Sequence, residues 1–483
     1  MNAELIPNFI AGEWAPSLGA EALDVRDPAS GERLGAVPMS GQVDVGRAVT
    51  AAALAFPAWR ATPPLERARI LFRLKALLDE HREELARSLT REHGKVVLES
   101  RGEVQRGIES VEYACGIPTL MMGDTLEDVS SGIDCETIRQ PLGVFAAITP
   151  YNFPVMIPLW FWPYAVATGN TFVLKPSEQD PLTHQRIVEL AREAGLPAGV
   201  LNVVHGGREA VDALLAHSDV KGISFVGSSR VAAAVYAKAA ANGKRVQALG
   251  GAKNHMIVLP DADPDDVAAA VLSSVYGSTG QRCLAGSVIV GVGDAYGPVR
   301  ERILDGASSL RLGHGLDETT DMGPVISGTH RERVRHYIGV GEREGARLVL
   351  DGRDATVSSL PAGHWIGPTV FEDVGPDMEV GGEEIFGPVA GLTRAASLDD
   401  AIALLERNRY GNATSIFTTS GKAAREFRYR AGISMIGVNI GVAAPMAFFP
   451  FGGTKGSFFG DLKAHGQDAV EFYTDKKVVI SRW

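Results

Sequence analysis

Short apolar runs rich in β-branched and aromatic residues alternate with helix-length segments from residue 143 onward. The runs FAAI, TFVLK, LNVVHG, GISFVG, VQALGG and MIVLP form this first series, with helical stretches such as THQRIVELAREAG between them. Strands that alternate with helices predict parallel βαβ units and a doubly wound sheet, which is an α/β fold. Such a sheet collects its ligands beyond the carboxyl ends of the strands.

A second alternating series follows Asp261 and predicts a second α/β domain. Its strand candidates are SVIVGV, ARLVLDG, ATSIFTT and MIGVNI. Before both series, residues 43–115 carry apolar residues at spacings of three and four, which predicts helices. Two β-like segments, 120–140 and the tail FYTDKKVVISRW, lie outside the two series. They could pair with each other or with a neighbouring subunit, and the pattern leaves both arrangements open.

Composition excludes several classes of protein. The chain of 483 residues has 47 Lys and Arg against 58 Asp and Glu, a net charge of −11. This balance argues against general binding to nucleic acid or to an anionic membrane surface. No apolar run reaches the roughly 18 residues of a membrane span, and the N-terminus lacks the pattern of a secretory signal. The three cysteines form no C-x-x-C pair, so we expect a reducing, cytoplasmic location. The eleven histidines form neither H-x-x-x-H nor H-E-x-x-H, so no metal is expected.

Cys283 is the first candidate for chemistry. It lies in YGSTGQRCLAG, just before the run SVIVGV, where Gly277 and Gly280 allow a tight backbone. The neighbouring Arg282 places a positive charge beside the thiol and favours the reactive thiolate. From the residues alone, the alternative is a buried structural cysteine, since free cysteine is among the most buried residue types.

Asn152 follows the run FAAI in the segment ITPYNFP, near the carboxyl end of a predicted strand. Its amide could donate a hydrogen bond to a developing oxyanion, although a turn-forming asparagine is the alternative. The chain has no G-x-G-x-x-G fingerprint. Lys175 and Glu178 follow another strand, where they could hold ribose hydroxyls. Gly227 and Ser228 end a third strand and open a helix, whose N–H groups favour an anion.

Seven short segments share one order and spacing with a known family. The segments ITPYNFP, VLKPSE, FVGS, ALGGAKN, GQRC, EEIFGPV and FGGTKGS resemble the aldehyde dehydrogenase superfamily over essentially the whole chain. The resemblance implies a Rossmann-type cofactor domain of residues 1–119 and 141–252 and an α/β catalytic domain of residues 253–436. It also implies a β oligomerisation arm of residues 120–140 and 460–483, with 437–459 returning to the cofactor side. A homodimer or homotetramer is expected.

The resemblance also assigns roles to individual residues. The Cys283 thiolate would attack an aldehyde, and Asn152 would stabilise the oxyanion together with the Cys283 N–H. A carboxylate at Glu178 would accept a ribose 2′-hydroxyl and repel a 2′-phosphate, so NAD is favoured over NADP. The positions that match the cofactor site are Ile148, Pro150, Phe153, Lys175, Glu178, Gly207, Gly227, Ser228, Leu249, Gly250, Glu384 and Phe386.

One departure from the family pattern bears on the reaction. Most hydrolytic members carry Glu in an E-L-G-G motif, and that Glu activates the water that cleaves the thioester. Here the motif reads ALGG, with Ala248 at the Glu position. A methyl group takes no proton, and general-base help is typically worth about 10²–10⁴-fold. The chain therefore resembles the CoA-acylating branch, the methylmalonate-semialdehyde dehydrogenases. In that branch coenzyme A takes the acyl group and CO₂ is lost.

A substrate of that branch carries a carboxylate, so the pocket needs cations. Arg282 and Arg106 match the branch positions, and two arginines could hold a carboxylate by bidentate hydrogen bonds. The alternative for Arg106 is a helix-face salt bridge with Glu103 or Glu109. For Arg282 the alternatives are a surface charge or stabilisation of the thiolate alone. Trp160 and Phe449 are further candidates for the substrate side.

Three other functions stay open at this point. The first is a hydrolytic NAD(P)-dependent aldehyde dehydrogenase with another base, for which Asp461 in the FFGDL segment is a candidate. The second is a non-catalytic protein that keeps the fold. The third is a slow thioesterase that uses Cys283 without a cofactor.

Overall fold

Twenty-two strands and seventeen α-helices form in the computed structural model, which describes residues 5–483. The strands are β1 (Asn8–Ile10), β2 (Glu13–Ala15), β3 (Ala22–Arg26), β4 (Arg33–Pro38), β5 (Thr125–Ser130), β6 (Ile133–Pro141), β7 (Val144–Ile148), β8 (Thr171–Lys175), β9 (Leu201–Val203), β10 (Val220–Val226), β11 (Arg245–Leu249), β12 (Asn254–Val258), β13 (Gly286–Val292), β14 (Arg347–Leu350), β15 (Thr369–Glu372), β16 (Val389–Ala395), β17 (Tyr410–Gly411), β18 (Ala413–Phe417), β19 (Met435–Val438), β20 (Thr454–Lys455), β21 (Phe458–Phe459) and β22 (Thr474–Arg482).

The helices follow the same chain order. They are α1 (Gln42–Ala61), α2 (Pro64–Glu80), α3 (Arg82–His93), α4 (Val97–Cys115), α5 (Ile117–Leu120), α6 (Met156–Leu159), α7 (Trp162–Ala167), α8 (Leu182–Glu193), α9 (Arg208–Ala216), α10 (Ser229–Ala241), α11 (Pro264–Tyr276), α12 (Tyr296–Ser309), α13 (Gly328–Arg343), α14 (Glu379–Gly382), α15 (Leu398–Arg407), α16 (Gly421–Arg430) and α17 (Gly466–Tyr473). The helices predicted for residues 43–115 are confirmed as α1 to α4.

The first large sheet has the order β2-β1-β9-β8-β7-β10-β11-β21. Its five central strands are parallel, and both faces carry buried apolar residues packed under helices. This burial on both faces explains why its strands are continuous apolar runs in the sequence. The doubly wound sheet predicted from the first series is confirmed, except that the last run, MIVLP, belongs to β12 of the second large sheet.

The second large sheet has the order β14-β15-β16-β13-β12-β18-β19 and is parallel except for β14. It holds the second predicted series and two strands that the sequence pattern missed, β15 and β16. The strand β15 has only four residues, and β16 begins at Val389, the last residue of the EEIFGPV segment, and contains Gly391. Neither gives a long β-branched run, which is the signal that marks a strand.

The arm is a three-stranded sheet of order β22-β6-β5. The tail strand β22 pairs with β6 over nine residue pairs, from Thr474 with Pro141 to Arg482 with Ile133. The two outlying segments of the sequence therefore pair with each other within one subunit. The preceding helix α17 packs inward, and its Tyr473 ring lies 4.9 Å from the Phe145 ring. Within residues 460–483 only β22 belongs to the arm sheet.

Candidate active site

Three neighbouring parallel strands of the first sheet end at one edge, and the candidate residues follow them there. Asn152 comes shortly after β7, Gly227 and Ser228 follow β10, and Gly250 follows β11. A cavity of about 220 Å³ opens at this edge, and residues of the second domain close it. Its lining residues are Pro150, Tyr151, Asn152, Val226, Gly227, Ser228, Gly250, Gly251, Cys283, His330, Arg333, Glu384 and Phe386.

The nucleophile segment is held by backbone geometry and by two asparagines. Cys283 follows a 3-10 segment, Gly277–Gly280, in which Ser278 and Thr279 have left-handed φ angles of 47° and 54°. The Cys283 carbonyl accepts hydrogen bonds from the side-chain amides of Asn254 and Asn412, both at 2.9 Å. These contacts fix the peptide on which the thiol is carried.

Asn152 is buried beside this segment. Its Nδ2 donates to the carbonyl oxygen of Gln281 at 3.0 Å, two residues before Cys283. One amide proton is bound there, and the amide has a second donor. The structure therefore brings the predicted nucleophile and the predicted oxyanion donor into one cavity.

The surroundings of Cys283 oppose ionisation of its thiol, although Arg282 is its neighbour in the chain. Burial and the nearby Glu384 carboxylate raise the pKa of Cys283 to about 12, against a smaller lowering effect of Arg282. Arg282 favours the thiolate in direction, as expected, but burial and Glu384 outweigh its effect. Arg282 forms an ion pair with Glu99, in which Arg282 Nη2 lies 2.9 Å from Glu99 Oε1.

Two side chains of helix α13 form hydrogen bonds with the cofactor-side loop around Glu384 and Phe386. His330 Nε2 lies 2.7 Å from the Phe386 carbonyl oxygen, and Arg333 donates to the Glu384 carbonyl at 3.1 Å. Phe386 has a left-handed φ of 63°. Burial raises the pKa of Glu384 to about 7, although its carboxylate accepts the Ala252 N–H at 3.0 Å.

Sequence reasoning missed Tyr151, His330 and Arg333 as cavity residues. Tyr151 is adjacent to Asn152, and its ring lies perpendicular to that of Phe386 with centroids 6.0 Å apart. Its place within the ITPYNFP segment was a usable signal for Tyr151. His330 and Arg333 lie at the start of α13, and no motif in the sequence marks that helix.

The remaining cofactor candidates lie along the same sheet edge or behind it. Lys175 ends β8 and its Nζ is 2.8 Å from Glu178 Oε2. Burial opposes ionisation of Glu178, but the Lys175 charge and hydrogen bond hold its pKa below the usual value. Gly207 caps α9, while Ile148 and Leu249 end β7 and β11 and are buried. Phe153 packs under Lys95, whose Nζ is 4.4 Å from the ring centroid.

The phosphate-facing part of the edge suits a dinucleotide. Ser228 caps the thirteen-residue helix α10, and its side chain accepts no capping hydrogen bond, so N–H groups of the first turn stay available for an anion. A Cβ on Gly227 would lie 2.6 Å from the Phe225 ring, and a Cβ on Gly250 would lie 2.8 Å from Ser229 Oγ. Glycine lets the backbone form this floor, and Lys175 and Glu178 lie at the carboxyl end of β8. The residues present fit NAD.

The substrate-side candidates do not line the Cys283 cavity. Arg106 donates to Glu109 Oε2 at 2.7 Å and to the Pro445 carbonyl, so the helix-face salt bridge considered for it does form. Trp160 is buried, with its ring 4.5 Å from that of Phe451. Phe449 is 57% exposed. Arg282 lines a separate cavity of about 530 Å³ together with Glu99.

Ala248 and Asp461 occupy different environments. Ala248 lies fully buried in β11 within an apolar cluster, and its strand partner is Phe459. Asp461 is exposed and lines a third cavity with Arg139 and Arg245, which shares no residue with the Cys283 cavity. This placement speaks against Asp461 as a base for the thioester.

Residues 5–483 contain neither a metal-binding cluster nor a membrane-spanning helix. No group of three or more histidine, cysteine, aspartate or glutamate side chains there is arranged to hold a metal ion. None of the helices in that range is long and apolar enough to cross a membrane.

Comparisons with known proteins agree on one family. The model of the aldehyde dehydrogenase family matches residues 14–479. Malonate-semialdehyde dehydrogenase 2 of Geobacillus thermodenitrificans (strain NG80-2) is 53% identical over 99% of both chains. The malonate-semialdehyde dehydrogenase of Halalkalibacterium halodurans is 50% identical, again over 99% of both.

Solved structures give the same result. The methylmalonate-semialdehyde dehydrogenase of Oceanimonas doudoroffii superposes with a TM-score of 0.98 at 47% identity, covering 100% of this chain and 99% of that one. A Sinorhizobium meliloti 1021 structure, assigned as a methylmalonate-semialdehyde dehydrogenase and complexed with NAD, has a TM-score of 0.98 at 45% identity. It covers 100% of this chain and 98% of its own.

Proposed function

Because the chain belongs to the aldehyde dehydrogenase family, we propose that it oxidises malonate and methylmalonate semialdehydes with NAD and transfers the acyl group to coenzyme A. Malonate semialdehyde, NAD⁺ and coenzyme A give acetyl-CoA, CO₂ and NADH, and the methyl-substituted substrate gives propionyl-CoA. The observation that carries the acyl transfer is Ala248. Its methyl group is buried in an apolar cluster and cannot take a proton from water.

Cys283 is the nucleophile of the proposed reaction. Its sulfur bonds to the aldehyde carbon, and the carbonyl oxygen gains negative charge beside Asn152 and the Cys283 backbone N–H. Donors that face the developing charge stabilise the transition state, and one such donor is worth about 10²–10³-fold in rate. Collapse of this adduct expels a hydride from its carbon and leaves a thioester on Cys283, and the thiolate of coenzyme A then displaces the enzyme sulfur.

The cofactor edge supplies the residues that hold NAD. Lys175 and Glu178 stand at the ribose position, the α10 N-terminus at the pyrophosphate position, and Glu384 with Phe386 at the nicotinamide end. When bound, NAD accepts the hydride from the aldehyde carbon. The low pKa of Glu178 keeps a carboxylate there, which favours a ribose with a free 2′-hydroxyl.

Arg282 and Arg106 are the proposed ligands of the substrate carboxylate. Both are only partly exposed, and each is now bound to a carboxylate of α4. A substrate carboxylate would take the place of a protein carboxylate or join it. This exchange favours substrates that carry a negative charge over neutral aldehydes of the same size.

The arm is the proposed contact between subunits. One face of its sheet exposes the apolar side chains of Leu126, Val478 and Ile480, with exposed fractions of 60–70%. An exposed apolar patch with free strand edges is unusual on a monomer. We expect a homodimer or homotetramer, which sedimentation can measure directly.

The reaction is tested by product analysis with both semialdehydes, with and without coenzyme A. Steady NADH formation should require coenzyme A, and acyl-CoA and CO₂ should appear in equal amounts with NADH. The Cys283→Ala variant is the control and should form no NADH. Steady turnover without coenzyme A that releases free acid would overturn the acyl-transfer assignment.

A further inference from the structure

A fully buried ion pair lies directly behind the Asn152 segment. Lys95 Nζ is 2.6 Å from Glu103 Oε2, and neither side chain has any exposed surface. Taking two ions out of water is costly, and such pairs are seldom needed for stability alone. The partners of these two side chains indicate what the pair does instead.

Every further hydrogen bond of these two side chains goes to residues 152–156. Lys95 Nζ donates to the Asn152 carbonyl at 2.7 Å and lies over the Phe153 ring. Glu103 Oε1 accepts the backbone N–H groups of Val155 and Met156 at 2.9 and 3.1 Å. The cation therefore holds the start of the segment by its carbonyl, and the carboxylate holds its end by two N–H groups.

The helix that carries Glu103 also holds the nucleophile segment. Glu99 lies one turn earlier on α4, so the two carboxylates share one helix face. Glu99 Oε1 accepts the Ser278 N–H at 2.7 Å, five residues before Cys283. Helix α4 thus holds both segments that supply oxyanion donors. The Asn152 amide also links the two segments, because it donates to the Gln281 carbonyl.

We infer that Lys95 and Glu103 are positioning residues, which set the Asn152 amide at the oxyanion site. The inference rests on the proposed role of Asn152 as an oxyanion donor. The pair does not touch the aldehyde. It acts by fixing the backbone from which the amide projects, and a misplacement of about 1 Å in such a donor can cost about 10²-fold in rate.

The test compares four proteins by the rate constant of NADH formation in the first turnover with malonate semialdehyde. They are the wild type, Asn152→Ala, the paired variant Lys95→Met with Glu103→Gln, and the triple variant that combines these changes. The paired variant removes both charges, so neither ion is left buried without a partner. We expect it to lower the rate about 10- to 100-fold while the Kd for NAD changes less than about 3-fold.

The decisive comparison is the triple variant. If the pair acts through Asn152, it should be no more than about 3-fold slower than Asn152→Ala alone, because the group being positioned is already absent. Losses that multiply in the triple variant would overturn the inference, and so would a paired variant with the wild-type rate. A wild-type rate in Asn152→Ala itself would overturn the proposed oxyanion role as well.

Two single variants separate positioning from general destabilisation. Glu103→Gln keeps an oxygen acceptor for the Val155 N–H and leaves Lys95 on the Asn152 carbonyl, so its rate should recover to within about 5-fold of wild type. Glu372→Gln changes another fully buried carboxylate, which pairs with Arg300 in the second sheet. It should lower the melting temperature and leave the first-turnover rate unchanged. A comparable rate loss in Glu372→Gln would assign the effect to stability and overturn the inference.

Discussion

The two sides of Cys283 differ in how far they are prepared for a ligand. On the cofactor side, strand ends, glycines and the open α10 N-terminus form a cavity with donors ready for an anion. On the substrate side, Arg282 and Arg106 are each bound to a carboxylate of α4, Glu99 and Glu109. Backbone groups form most of the cofactor side, whereas the proposed substrate side consists of side chains that already have partners.

This difference predicts that the cofactor side favours affinity and that the proposed substrate side favours selectivity for charge. A preformed backbone site binds its ligand with little reorganisation. When an arginine must leave a protein carboxylate, binding is favourable only if the ligand supplies another carboxylate. The proposed substrate side would therefore discriminate charge even though both arginines are already paired, and separate variants measure the two sides.

Removal of the Arg106 charge should give the largest effect. Arg106→Leu should lower kcat/KM for malonate semialdehyde about 10²–10³-fold, because a charged hydrogen-bonded pair with the substrate is lost. Steady-state kinetics with propanal, which has no carboxylate, should change less than about 3-fold. Arg101→Leu removes another α4 arginine, bound to Glu83 and Glu318, and serves as the control. Equal losses on both aldehydes would remove Arg106 from the carboxylate site.

The raised pKa of Cys283 predicts a steep pH dependence in the free enzyme. Below a pKa of about 12 the thiolate fraction grows about tenfold per pH unit, so alkylation by iodoacetamide should be about 100-fold faster at pH 9 than at pH 7. Mass spectrometry of the labelled peptide measures this rate, with Cys283→Ser as the blank for Cys115 and Cys135. A plateau between pH 7 and 8 would show instead that Arg282 activates the thiol.

The Glu178 carboxylate should set the choice of cofactor. Glu178→Gln should reduce the ratio of NAD to NADP affinity about 10- to 100-fold, because the repulsion of a 2′-phosphate and a charged hydrogen bond are lost together. Fluorescence titration with both cofactors gives the two Kd values. Glu189→Gln, on the exposed face of α8 beside Arg186, is the matched control. An unchanged ratio would place the ribose away from Glu178.

Release of Arg282 from Glu99 should give the smallest effect. A partly exposed ion pair contributes up to about 1 kcal/mol, so Glu99→Gln should lower KM for malonate semialdehyde about 2- to 5-fold. The new side chain keeps an oxygen acceptor for the Ser278 N–H, and kcat should stay within about 3-fold. A higher KM would mean that Glu99 orients Arg282 for the substrate and does not compete with it.

The sequence predicts the backbone-built side well and the side-chain-built side poorly. Residues such as Asn152, Gly227 and Gly250 follow strands, and parallel strands of one sheet bring their carboxyl ends to one edge. Their meeting place is therefore fixed by topology. Cys283 joins them from the second domain, and its position follows from the resemblance to the family, not from periodicity.

Contacts that depend on side-chain partners are less accessible from sequence. Arg282 is adjacent to Cys283 in the chain, yet it reaches Glu99 on α4, 183 positions earlier. His330 contacts the Phe386 carbonyl, and no sequence motif marks this histidine. The strands β15 and β16 were missed because they are short or follow a loop segment directly. Long-range pairs of this kind are set by packing, which no local pattern records.

In the proposed reaction, Ala248 leaves a thioester on Cys283 until coenzyme A arrives. The intact mass of the enzyme after reaction with NAD and malonate semialdehyde without coenzyme A tests this step. We expect one NADH per active site and one acyl adduct, located on Cys283, which disappears when coenzyme A is added. Continuous NADH formation with no detectable adduct would contradict it, because water would then be cleaving the thioester as fast as it forms.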